Sequence, residues 1–94
     1  MQFHSVVIAE PVANLAGLIG GLASYQIFHL VGAAQSTEVA AAVATAALVN
    51  VALGAKINLF MLDLLSLVVV RPISALSCAA IVDLVVKASM AHPS

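Results

Sequence analysis

The chain has 94 residues, 64% of them hydrophobic, with three basic and four acidic side chains and a formal net charge of −1. A water-soluble domain carries about a quarter charged residues, and a small one has the most surface to cover for its volume, so an ordinary cytosolic domain is excluded. The near-neutral balance leaves no basic face for nucleic acid and predicts no sequence-specific nucleic-acid binding. The length suits one hydrophobic helical domain over 1–94.

The chain opens Met1-Gln2-Phe3-His4-Ser5, without the basic segment of a secretory signal, so no leader is expected to be removed. Residues 11–34 are 24 uncharged residues in a row. At about 1.5 Å per residue they cross a hydrocarbon core of roughly 30 Å as a helix. Pro11 suits a first helical turn, with Glu10 against the positive end of the helix dipole. This predicts a first helix over about 9–34. Ala13, Gly17, Gly21 and Tyr25 recur every four residues along it. The Gly17-x-x-x-Gly21 pair makes a ridge that a neighbouring backbone can approach closely.

Gln35-Ser36-Thr37-Glu38 interrupts the apolar run and opens a second helix, with Ser36 or Thr37 as N-cap and Glu38 in the first turn. From Val39 to Val70 there is no proline and only one glycine, Gly54. One glycine costs about 1 kcal/mol, whereas a helix end in lipid strands several backbone groups. A single helix over about 37–70, kinked near Gly54, is therefore expected, against the rival of two helices parted there. Arg71-Pro72 reads as a tight turn, because proline lacks a donor and restricts the residue before it. A third helix follows over about 73–91, and Met90-Ala91-His92-Pro93-Ser94 reads as a frayed end. The expected fold is thus all-α, three hydrophobic helices in a membrane-derived helical hairpin.

Polar residues inside apolar runs are the candidates for chemistry. Lys56, Asp63 and Arg71 lie seven and eight residues apart, near two helical turns each, and on one continuous helix would share a stripe. Charges within a span are functional by default. The stripe reads as the lining of a lumen or pore, against pairing with a neighbouring subunit or snorkelling of Lys56 and Arg71 to an interface. Asp83 and Lys87 are spaced for a helix-face ion pair. His4, His29 and His92 have no metal-ligand spacing. An axial role for His29 on a haem or chlorophyll competes with plain hydrogen bonding near a helix end. Cys78, alone, reads as a small packing residue. No nucleophile, phosphate loop or carboxylate pair suggests an enzyme, and no metal or organic cofactor is expected.

Ala40, Ala41, Ala42, Ala44, Ala46 and Ala47 in the second helix, and Ala75, Ser77, Cys78, Ala79 and Ala80 in the third, add small residues on many sides. That pattern fits a crowded homopolymer, against the simpler account of generic membrane-helix composition. An arginine-proline turn before a carboxylate-bearing helix is similar to the c subunit of rotary ATP synthases. However, Asp83 lies only eleven residues beyond Pro72, and alternating glycines are absent from the first helix.

The plan of Val39 to Val70, Arg71-Pro72 and Ile73 to Ala91, preceded by residues 11–34, resembles the pilins of conjugative type IV secretion systems, including archaeal DNA-import relatives. In those a short basic loop joins a long helix to a shorter one and faces a filament lumen. The resemblance covers about residues 11–91 and is architectural, with no diagnostic string. Retention of Met1 would depart from bacterial members, whose long leader is removed. It implies Arg71 as the lumen-facing base, a homopolymer with bound phospholipid, DNA or protein as cargo, and a membrane subunit that ends in a cell-surface filament. A holin-like pore former, lacking the usual basic tail, and an accessory subunit of a respiratory or photosynthetic complex are the alternatives.

Overall fold

Backbone groups in lipid find no water, so long apolar segments must satisfy them within the segment, as helices do. The computed structural model describes residues 3–91 and contains three helices: α1 (Phe3–Leu30), α2 (Gln35–Phe60) and α3 (Leu64–Ala91). They run up, down and up, in a bundle 44 Å in its longest dimension. Each is long and apolar enough to cross a membrane. The chain has the build of a three-span membrane protein. Met1, Gln2 and the end of the tail at 92–94, including His92, lie outside the described residues.

The helix count agrees with expectation, but the second break does not lie at Arg71-Pro72. It lies at Met61-Leu62-Asp63, and Pro72 sits inside α3. Backbone closure at the end of α2 explains why. Leu62 takes a left-handed φ of 59°. Its amide donates to the Leu59 carbonyl (3.1 Å), and that of Asp63 to Asn58 (2.8 Å). This is the paired closure that usually has glycine at the left-handed position. Asp63 then caps α3, its Oδ1 accepting from the Ser66 amide at 3.1 Å. Pro72 removes the donor for the Val68 carbonyl, a loss that helices in lipid tolerate when neighbours support them.

The first turn has the same closure with glycine in place. Gly32 has φ 78°, its amide donating to the His29 carbonyl (3.1 Å) and that of Ala33 to Phe28 (3.0 Å). The first helix therefore stops at Leu30 rather than 34. It also starts at Phe3, which puts Pro11 within the helix rather than in its first turn. Ala34, not Ser36 or Thr37, is the N-cap of α2, and it makes no side-chain cap bond.

Inward positions repeat every four residues. On α1 they are Ser5, Ala9, Ala13, Gly17 and Gly21; on α2, Glu38, Ala42, Ala46, Asn50, Gly54 and Asn58. A Cβ placed on Gly17 would stand 2.9 Å from the Ala46 carbonyl oxygen, and one on Gly21 2.9 Å from that of Ala42. The Ala13, Gly17 and Gly21 ridge thus brings α1 against α2 of its own chain. Small residues assigned from sequence to contacts between subunits are in large part consumed inside the bundle, Ala75, Cys78 and Ala79 of α3 included.

Candidate functional site: a polar interior at membrane depth

Toward the α2–α3 turn the buried side chains are mostly polar, with Ala9 and Ala13 among them. Arg71, 2% exposed, reaches from α3 to α1, where its Nη2 lies 3.0 Å from Glu10 Oε1 and donates to Oε2 at 3.2 Å. Its Nη1 donates to Asn58 Oδ1 on α2 (3.3 Å). The guanidinium lies over Gly54, where any side chain would collide with it. Gly54 is therefore a seat for Arg71. Asn58 in turn donates to Ser5 Oγ (2.9 Å) and Ser66 Oγ (3.4 Å), so its amide joins all three helices.

A second polar group lies one turn further in. Asn14 Nδ2 donates to the Glu10 carbonyl (2.8 Å), which leaves Asn14 Oδ1 as an acceptor. Asn50 Nδ2 donates to that oxygen (3.0 Å) and to Ser74 Oγ (3.2 Å), and Ser74 donates to Asn14 as well (3.3 Å). Cys78 closes the group, its thiol donating weakly to the Asn14 carbonyl at 3.8 Å. Cys78 is buried and packs against Ala42, Ala46, Val82 and Val86, where the interior becomes apolar.

This arrangement separates the three residues expected to share a stripe. Lys56 is two positions from Gly54, about 200° around α2, and is exposed beside an apolar groove formed by Ile8, Ile57, Phe60 and Met61. Asp63, buried, caps α3. Arg71 is in the core. The stripe required one continuous helix, and the break at 61–63 removes it. Arg71 is likewise neither in a loop nor open to a lumen in this fold.

From sequence, Glu10 has only the role of a dipole partner, and Asn14, Asn50 and Asn58 have none. Their signal was the spacing of Asn50, Gly54 and Asn58 by four, which puts all three on one face of α2. At the other end, His29 Nδ1 lies 3.2 Å from the buried Glu38 carboxylate and its ring stacks on Tyr25, which is the hydrogen-bonding account of His29. Lys87 pairs with Asp83 at 3.1 Å, as the spacing predicts. Among the described residues no group of three or more His, Cys, Asp or Glu side chains is placed to hold a metal ion.

The interior can brace three helices in lipid, where polar contacts act as glue and apolar ones compete with equally apolar tails. No protein-family model, curated protein or solved structure matches this chain.

Proposed function

We propose that the chain is a structural membrane subunit that assembles with copies of itself, and that the assembled form is a filament of the conjugative-pilin kind, a conduit for DNA or protein. The observation that carries this reading is the inverted polarity of the bundle. Arg71, Asn50, Asn58 and Ser66 are spent inside, while Leu15, Ile19, Leu48, Val68, Leu76 and Leu84 stand exposed along its length. Such an exterior offers packing surface to lipid and to other copies and little else; in water it would far exceed the few hundred Å² of apolar patch that soluble proteins tolerate.

One feature of the expected filament changes. Arg71 is committed to Glu10, so the candidate base for a lumen becomes Lys56, which is exposed, whereas the exposed Lys87 pairs with Asp83. Phospholipid remains the proposed partner, with the groove of about 390 Å³ beside Lys56 suited to an acyl chain. The test is microscopy of sheared cell-surface material, with lipid extraction and mass spectrometry of the same fraction. Thin filaments containing this chain and stoichiometric phospholipid are expected. A chain that stays in the membrane fraction as a monomer at every protein-to-lipid ratio would overturn the reading.

A further inference from the structure

Among the described residues, three buried side-chain polar atoms lack a protein hydrogen bond: Arg71 Nε, Asn50 Oδ1 and Glu10 Oε1. The orientation of Asn50 follows from its neighbours. Asn14 must turn its amide to the Glu10 carbonyl, which only accepts, so Asn14 presents oxygen to Asn50, and Asn50 must answer with nitrogen. Its own oxygen is then left over. Glu10 Oε1, although 3.0 Å from Arg71 Nη2, makes no aligned hydrogen bond to it.

These atoms are carried on neighbouring turns of the three helices. Arg71 lies over Gly54, one turn along α2 from Asn50, a separation of about 6 Å. Ser74, three residues after Arg71, bonds to Asn50, and Glu10 and Asn14 are four apart on α1. The unused groups are one donor and two acceptors. Arg71 disfavours a cation and Glu10 disfavours an anion, so the complement is a small neutral molecule that both accepts and donates.

We propose that ordered water binds among Glu10, Asn50 and Arg71 inside the membrane-spanning bundle, where these atoms are left without partners. Water accepts from Arg71 Nε–H and donates to both Asn50 Oδ1 and Glu10 Oε1, the polar partners that a buried water requires. Polar side chains continue toward the α2–α3 turn through Ser5, Asn58 and Ser66 and give way to apolar ones at Ala46 and Val82. The site goes beyond the proposed function and needs only the single chain.

Solid-state NMR of isotope-labelled protein in phospholipid bilayers tests it, through transfer of magnetisation from water. Signals of Arg71 Nε and the Asn50 side chain should build up from water several-fold faster than those of Ala46 and Val82. In Asn50→Leu, transfer to Arg71 Nε should fall several-fold while the Val82 and Val86 shifts stay in place. Build-up at Arg71 and Asn50 no faster than at Val82 in the unmodified chain would overturn the proposal without any variant, as would undiminished transfer to Arg71 in a folded Asn50→Leu protein. Neither result depends on assembly, so failure here leaves the filament reading standing, and failure of that reading leaves the water site standing.

Discussion

From the α1–α2 turn to the middle of the bundle, Ala42, Ala46, Val82 and Val86 pack beside Gly17 and Gly21. From the middle to the α2–α3 turn, the interior is Asn14, Asn50, Asn58, Ser66 and Arg71, bonded across all three helices. In water the first half would be the stronger, because burial of apolar area drives folding. In lipid that advantage disappears, since the tails are as apolar as the side chains. The apolar half then relies chiefly on close backbone approach and shape, with the Thr45–Ser24 and His29–Glu38 contacts beside it, and the polar half on bonds that lipid cannot replace. The two halves should accordingly fail in response to different substitutions.

The largest effect is expected in the polar half. Arg71→Ala leaves the Glu10 carboxylate and Asn58 without their partner and should destabilise by about 3–5 kcal/mol, the range for breaking a buried pair. Replacing both charges, Glu10→Leu with Arg71→Met, should recover most of that loss, because hydrophobic pairs of similar volume substitute well for buried ion pairs. Unfolding by denaturing detergent, followed by helix content, measures both. If the double variant is no better than Arg71→Ala, Glu10 is not the partner that matters.

In the apolar half Gly21→Leu should be next, at about 3 kcal/mol, near the upper end for overpacking, because the Ala42 carbonyl is backbone and cannot move aside. Thiol cross-linking between cysteines placed on α1 and α2 should show the helices parting near Gly21 while the polar half keeps its contacts. Equal loss of cross-links in both halves would mean that they are one cooperative unit.

Asn58→Leu should cost about 2 kcal/mol, from three contacts each worth roughly 0.6 kcal/mol in membrane proteins. The same unfolding assay resolves it from Arg71→Ala. The smallest effect is a gain. Leu62→Gly relieves the left-handed position and should stabilise by about 0.5–1 kcal/mol, the strain for an L residue less the added freedom of glycine in the unfolded chain. A loss there would mean that the Leu62 side chain contributes more than its backbone strain.

The same contrast explains what the sequence revealed. The three helices were legible because apolar runs of that length leave few alternatives in lipid, and the first turn was marked by Gly32 and the polar residues after it. The second turn was hidden because leucine occupies the position where glycine is the usual sign, while Asp63, which caps α3, resembled a pore-lining charge. Arg71-Pro72 looked like a stop because proline breaks helices in water more readily than in a supported membrane bundle. The packing ridge at Ala13, Gly17 and Gly21 could be read from spacing, but spacing alone does not say whose helix lies against it. The Glu10–Arg71 pair joins residues 61 apart in sequence, so it became visible only once the turn at 61–63 set the register of α3 against α1.

Arg71 is spent inside the bundle, against Glu10, rather than offered to a lumen or to headgroups. The most direct measurement is the dipolar coupling between the Arg71 guanidinium nitrogens and the Glu10 carboxyl carbon, by solid-state NMR on labelled protein in bilayers and in any assembled form. The account predicts a strong coupling, as the 3.0 Å contact requires, and none between Arg71 and phosphorus of lipid or nucleic acid. Coupling of Arg71 to phosphorus with none to Glu10 would contradict it.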